Sequence, residues 1–228
     1  MSVGVVLFPG TNCEMDVVEA ITDLGGSAEV VWHGDEKLAS HIDAVVLPGG
    51  FAHGDYLRTG AIARFSPVMA AVSRFAAEGG PVVGICNGFQ VLTEAGLLPG
   101  ALQKNRGLKF LCTDVQIRVE STNTPLTNSV ESGAVLRIPI NHFEGNFTCS
   151  PETLAELQAE DRIVFRYVEN PNGSIDDIAG VCSAARNVVG LMPHPERACN
   201  RLLGSEDGKY LLRSLLTAAG ASISSLPA

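Results

Sequence analysis

Short, unbroken apolar runs recur along the chain, at Ser2 to Phe8, Ala28 to Trp32, Ala44 to Leu47, Pro81 to Val83, Ile163 to Val168, Ile178 to Ala184 and Val188 to Met192. Runs of this kind suit strands buried on both faces of a sheet, whereas a half-exposed strand alternates apolar and polar positions. Between the early runs and after the last one, the spacing turns helical. The stretch from about Cys13 to Leu24 puts Val17, Ile21 and Leu24 on one stripe, and Pro67 to Ala77, Asn87 to Ala95 (stopped by Gly96) and about Gly208 to Ala219 read the same way. Buried strands separated by helices predict a largely parallel, open α/β sheet with right-handed crossovers. From Leu108 to Phe147 the pattern becomes β-rich, with runs at Phe110 to Cys112 and Val135 to Ile138, and predicts a small antiparallel excursion on that sheet. No repeat, low-complexity block or linker divides the chain, so residues 1–228 are expected to form a single domain.

Composition removes several function classes. A formal net charge of −9 and the lack of any basic run argue against a nucleic-acid surface, which needs Lys and Arg for the phosphates. No apolar run approaches the roughly 20 residues of a membrane-spanning helix. The start of the chain has no charged segment before its apolar run and breaks at Pro9, so it reads as a first strand and not as an export signal. Six irregularly spaced cysteines without such a signal point to free thiols in a reducing cytoplasm. The two glycosylation-type triplets, at Asn146 and Asn172, then carry no meaning.

The chemistry concentrates at strand ends, where ligands of open α/β sheets bind. In Gly84-Ile85-Cys86-Asn87-Gly88-Phe89-Gln90 an apolar run delivers a cysteine onto a turn bracketed by glycines. This is the pattern of a nucleophile elbow, whose tight strand-to-helix turn needs small residues two positions before and after the nucleophile. A thiol at the start of the following helix sits in the positive end of the helix dipole, which favours the thiolate. The ordinary alternative for Cys86 is a structural core cysteine.

Far downstream, Val188-Val189-Gly190-Leu191-Met192 runs into Pro193-His194-Pro195-Glu196. The prolines stop the strand at the imidazole, and Glu196 supplies a carboxylate to orient the ring and stabilise its cationic form. A metal site is the weaker reading, since zinc wants three or four ligands and only one suitable histidine is present here. A third strand ends in Pro48-Gly49-Gly50, a turn that lets the backbone N–H of Gly50 join that of Asn87 as an oxyanion-stabilising pair. Read alone, Gly49-Gly50 is an ordinary loop. No Gly-x-x-x-x-Gly-Lys-Ser/Thr loop is present, so ATP binding by that motif is not expected.

Gly84-x-Cys86-x-Gly88-x-Gln90, followed by His194-x-Glu196 and preceded by Pro48-Gly49-Gly50, resembles the class I (triad) glutamine amidotransferases. The segments Phe8 to Glu14, Gly49 to Arg58 and Asn141 to Phe147 narrow the likeness to the glutaminase subunits of phosphoribosylformylglycinamidine synthases, enzymes of de novo purine biosynthesis. The likeness runs from the first strand to the last helix. It leaves out the tail after Gly220 and the stretch from Thr122 to Val130, and Ala52-His53 stands where Ser-Tyr is common.

The resemblance implies a doubly wound, flavodoxin-like sheet and a glutaminase reaction. Cys86, His194 and Glu196 would be catalytic, Gly50 and Asn87 would form the oxyanion hole, and Gln90 with the backbone around Asn141 and Phe143 would bind L-glutamine. It implies no metal or cofactor on this chain, with ATP and magnesium used by a large synthetase subunit that a small accessory subunit accompanies. Asp55, Tyr56 and Arg58, which follow the Gly49-Gly50 turn, are candidates for partner contacts. The competing readings are a redox-responsive or peptidase-like protein with an elbow cysteine, which would not need Gln90 together with His194-x-Glu196, and a non-catalytic binding module.

Overall fold

The computed structural model describes residues 1–220. Its strands are β1 (Ser2–Leu7), β2 (Ser27–Trp32), β3 (Ala44–Leu47), β4 (Val82–Ile85), β5 (Ala101–Gln103), β6 (Leu111–Val119), β7 (Val135–His142), β8 (Asn146–Thr148), β9 (Ile163–Tyr167), β10 (Ile178–Cys182) and β11 (Val188–Leu191). The helices are α1 (Glu14–Asp23), α2 (Pro67–Ala77), α3 (Asn87–Glu94), α4 (Pro151–Ala159) and α5 (Gly208–Ala218). The tail expected to fall outside the likeness, beyond Gly220, lies outside the described residues.

Nine strands form one sheet in the order β2-β1-β3-β4-β11-β10-β9-β6-β7. Strands β2, β1, β3, β4 and β11 run parallel, and β10, β9, β6 and β7 continue the sheet with antiparallel pairings. The open α/β architecture is the expected one, with the antiparallel excursion carried by a four-strand edge. Periodicity shows that β9 and β10 are strands, but the direction in which they pair depends on how the chain returns to the sheet.

The parallel strands β1, β3, β4 and β11 are buried along nearly their whole length, as their unbroken apolar runs require. Each Val, Leu or Ile so buried stabilises the fold by roughly 1.5–3 kcal/mol. Helix α1 turns Val17 and Ile21 inward and packs against α5, while α3 lies over β3, β4 and β11. The sequence pattern leaves out one helix, α4, although its start is signalled: the Ser150 hydroxyl caps the Thr153 N–H at 3.2 Å, and Pro151 occupies the first helical position. The segment 122–130 docks on α5, where Asn128 Nδ2 donates to the Ser214 carbonyl at 2.9 Å and Ser129 N to Ser214 Oγ at 3.2 Å.

Candidate active site

At the carboxyl end of β4 the chain enters Cys86 with φ 51° and ψ −105° and leaves it as the first turn of α3. A positive φ is costly for a residue with a side chain, of order 1–3 kcal/mol, and persists only where the surroundings enforce it. The glycines of the motif make the turn sterically possible. A Cβ on Gly84 would meet the Gly88 carbonyl oxygen at 2.7 Å, and one on Gly88 would collide with the backbone carbonyl of Leu47 in β3. The Cys86 thiol emerges near the Asn141 carbonyl at the end of β7, 3.7 Å away.

Strand β11 delivers His194 to the same edge. Its backbone N–H donates to the Pro139 carbonyl at 2.9 Å, which ties the histidine to β7. The ring Nδ1 lies 2.6 Å from Glu196 Oε1, and both side chains are buried. Burial alone would depress the imidazole pKa, but the Glu196 carboxylate and the Cys86 thiol, aided by Cys13, hold it well above its ordinary value. The Nε2 atom has no hydrogen-bond partner among the described residues and lines a cavity of about 280 Å³ that Cys86 also lines.

Gly50, Gln90, Asn141 and Phe143 border this cavity, together with Asn12, Cys13, Asp55, His142 and Glu144. Six of the eight residues singled out by sequence therefore meet at one concavity, while Asn87 and Glu196 stand directly behind it. Glu196 faces a larger groove of about 850 Å³ whose wall also includes His194 and Asn141.

Gly50 has φ 146° and forms an isolated antiparallel bridge with Thr11. The flanking bonds, Phe51 N to Gly10 O at 3.1 Å and Asn12 N to Gly49 O at 3.5 Å, make Thr11 and Gly50 the non-hydrogen-bonded pair, so the Gly50 N–H points away from that bridge. The Asn87 N–H, at the first position of α3, belongs to the helix donors that no turn of the helix satisfies. Gly49 packs against the imidazole, and a Cβ there would lie 2.6 Å from His194 Cε1.

The side chain of Asn87 does something its motif position does not announce. Its Oδ1 accepts from the Ala52 N–H at 3.0 Å, and its Nδ2 donates to Asp55 Oδ1 at 3.2 Å and Gln90 Oε1 at 2.9 Å. Gln90 in turn donates to the Glu144 carbonyl at 2.5 Å. This buried relay couples the elbow helix to the glycine turn and to the loop after β7. Gln90 reaches the cavity with its amide oxygen already engaged.

Cys13 is a second thiol beside His194 that the sequence pattern did not mark. It lies 3.1 Å from Arg197 Nη2 and 3.2 Å from Asn12 Oδ1, and Arg197 is itself paired with Asp16 at 3.0 Å. Cys13, His194 and Glu196 offer donor atoms within 4.8 Å of one another. A cation there would compete with the Arg197 guanidinium for the sulfur and with Nδ1 for the carboxylate. His142 is also buried in this wall with both ring nitrogens unpartnered, and burial, reinforced by His194, lowers it to about 4.

The profile of the CobB/CobQ-like glutamine amidotransferase domain matches residues 1–208. The chain belongs to this amidotransferase family. It is 58% identical over 219 residues to the phosphoribosylformylglycinamidine synthase subunit PurQ of Rubrobacter xylanophilus, covering 96% of this chain and 99% of that one. The corresponding protein of Koribacter versatilis is 53% identical, with 96% and 98% covered. Among solved structures, the amidotransferase matches a chain of PurLQS from Thermotoga maritima with TM-score 0.87 and 42% identity, over 95% of this chain and 97% of that chain. A glutamine amidotransferase of the same organism, 18% identical with TM-score 0.63 over 96% of this chain and 98% of that chain, shares the fold.

Proposed function

We propose that this chain is the glutaminase subunit of a phosphoribosylformylglycinamidine synthase, hydrolysing L-glutamine and passing the ammonia to a synthetase partner in purine biosynthesis. The observation that carries the chemistry is Cys86, held at φ 51° on the rim of a cavity into which the buried His194 of the 2.6 Å His194–Glu196 pair also opens. In this reading the Cys86 thiolate attacks the side-chain amide carbon of glutamine. The tetrahedral oxyanion is stabilised by the N–H groups of Gly50 and Asn87, donors of a kind worth roughly 2.7–4 kcal/mol in other enzymes. His194 gives its proton to the departing nitrogen, ammonia leaves, and a γ-glutamyl thioester remains. His194 then takes a proton from water, whose oxygen attacks the thioester and releases glutamate. Glu196 keeps the ring in the required tautomer throughout.

The fine placement of substrate belongs to the same proposal: Gln90 and the backbone of Asn141 and Phe143 border the glutamine. ATP and magnesium act on the large synthetase subunit, with a small accessory subunit completing the complex. Around the cavity mouth, Phe51, Tyr56, Leu57 and Phe110 expose apolar surface, Leu57 being 90% exposed. A patch of this kind marks an interaction site, and we assign it to the synthetase. Arg58, bound by Glu94 through its Nε at 2.5 Å, stiffens this rim. No helix among the described residues is long and apolar enough to cross a membrane.

The test is glutamate release from glutamine by the unmodified chain and by Cys86→Ala, with and without the synthetase, ATP and formylglycinamide ribonucleotide. Release that requires Cys86 and rises with the partner is expected. No Cys86-dependent release in the reconstituted mixture would remove the reading.

A further inference from the structure

Asp55 and Glu144 both line the cavity that holds Cys86 and the unpartnered His194 Nε2, and no Lys or Arg lines it. Among the described residues, no Lys, Arg or His pairs with either carboxylate. This is unusual beside the rest of the site, where His194 meets Glu196 and Arg197 meets Asp16. Two carboxylates that line one small concavity with no cation paired to them leave a charge that a ligand bringing an ammonium group can meet.

The two acids are placed with care. The loop carrying Asp55 is wound left-handed, with φ 54° at His53, 73° at Gly54, 53° at Asp55 and 70° at Leu57. Asp55 Oδ1 is then fixed by Asn87 Nδ2 at 3.2 Å. The backbone of Glu144 is anchored by Gln90, whose own oxygen is held by the same Asn87. One buried amide therefore holds the Asp55 carboxylate directly and the Glu144 backbone through Gln90, next to Cys86, its neighbour in the chain.

We infer that Asp55 and Glu144 bind the α-ammonium group of the substrate amino acid, so that the site selects a free α-amino acid over other primary amides. The inference rests on the glutaminase reading above. Glutamine carries its scissile amide and its ammonium at opposite ends of a short aliphatic stem. Seating the amide against Cys86 leaves the ammonium to be met elsewhere in the same cavity, where these two carboxylates are the available counter-charges. A peptide-bound or N-acylated glutamine lacks that charge and would leave both acids unpaired. Failure to satisfy a buried charged or polar group is a stronger source of discrimination than a missing apolar contact.

The experiment measures binding of L-glutamine and of glutaramate, which is glutamine without its α-ammonium group, to the Cys86→Ala full chain in complex with its synthetase partner. Calorimetry on this background reads recognition without turnover. A preference for glutamine is expected, falling about tenfold or more on adding Asp55→Asn and by a smaller factor with Glu144→Gln. Asn keeps the shape of Asp and tolerates the positive φ that this position demands. Should Asp55→Asn not fold, the preference is read from Glu144→Gln alone, where a loss supports the inference and an unchanged ratio overturns it. A ratio within twofold of the parent in both variants would overturn it, as would variants that weaken subunit association and leave the ratio intact, since the acids would then serve a cation of the partner. Loss of the inference while the unmodified chain still hydrolyses glutamine through Cys86 leaves the glutaminase reading standing, and the converse result separates the two in the other direction.

Discussion

The two walls of the catalytic cavity handle charge in opposite ways. On the β11 wall the charged groups are paired with one another: His194 with Glu196 at 2.6 Å, Arg197 with Asp16 at 3.0 Å, and the Cys13 sulfur with Arg197 at 3.1 Å, His142 alone standing there without a partner. On the opposite wall, Asp55 and Glu144 line the cavity, and among the described residues neither is ion-paired with a Lys, Arg or His. The pairs on the first wall are in place before substrate arrives, which suits groups that must keep one geometry while a proton moves from His194 and back to it. The second wall is incomplete and becomes satisfied only when a cationic ligand enters. Cys86 stands between them, held at a positive φ and beside the His194 imidazole.

The sharpest way to break this division is to compare the two thiols that flank His194. If the elbow geometry makes the nucleophile, Cys86→Ala lowers glutaminase kcat by at least about a thousandfold, as loss of a nucleophile does in other hydrolases. Cys13→Ala removes a contact to Arg197 on the completed wall, and its cost stays within about tenfold, near 1.4 kcal/mol of barrier. Steady-state glutamate release checks both. Equal losses would mean that proximity to the imidazole, and not the positive φ at Cys86, decides which sulfur reacts.

Glu196→Gln tests the completed wall from its other end. It leaves the ring buried while removing the charge that holds its proton, so kcat is expected to fall by roughly a hundred- to ten-thousandfold, in line with the loss of the orienting carboxylate in a serine protease triad. The imidazole of this variant titrates lower, because the carboxylate that opposed the effect of burial is gone. An NMR titration of the His194 ring would show this directly, and a ring that titrates as before would contradict the pairing.

Much of this division was legible in the sequence, and the part that was not has a physical reason. Glycine and proline write their constraints into the chain: Gly84 and Gly88 announce the elbow because no Cβ fits there, and Pro193 and Pro195 announce where β11 ends. A paired His-x-Glu is likewise local, two residues apart. The open wall joins Asn87 and Gln90, one helical turn apart, to residues 55 and 144, which no spacing rule connects to them. Its acid is placed by a left-handed run through His53 and Asp55, a conformation that side-chain pattern does not predict. Asn87 was marked for its backbone N–H alone, and the three contacts of its side chain depend on the arrival of distant loops. Cys13 went unmarked because nothing in Thr11-Asn12-Cys13-Glu14 shows that it will meet His194 across the sheet. Helix α4 is a different case, since Ser150-Pro151 carried the start signal and the apolar stripe behind it was short, with Leu157 its one fully buried residue.

Asn87 is the joint between the walls, so Asn87→Ala should damage both substrate binding and chemistry. It strands Asp55 and Gln90 without their donor and frees the Ala52 N–H. A loss of roughly tenfold to a hundredfold in kcat/KM is expected from misplacement on the scale of an ångström, along with about 1–3 kcal/mol of stability for the unsatisfied buried groups. Denaturant unfolding measured beside kinetics separates the two. A stability loss with unchanged kcat/KM would confine Asn87 to the core.

The smallest effect is also the one that reads the open wall without any substrate. Burial, opposed by the Asn87 hydrogen bond and reinforced by Glu144, raises the Asp55 carboxyl from 3.8 to about 6. The folded state therefore holds that proton more tightly than the unfolded chain does. The resulting contribution to stability is fully present below pH 3.8 and is lost as pH rises through about 6. At neutral pH the ionised, unpaired Asp55 opposes folding, and Asp55→Asn should be the more stable protein. The group is only half-buried, so water screens it and the gain is at most about 1 kcal/mol, or roughly 2–4 °C in Tm for a domain of this size. Thermal melts across the acid range should show the advantage of Asp55→Asn shrinking toward zero near pH 4. Added L-glutamine should raise the Tm of the parent more than that of the variant, because only the parent gains a counter-charge on binding. A variant less stable than the parent at pH 7 would mean that Asp55 already has a satisfying partner, and the contrast between the two walls would then be lost.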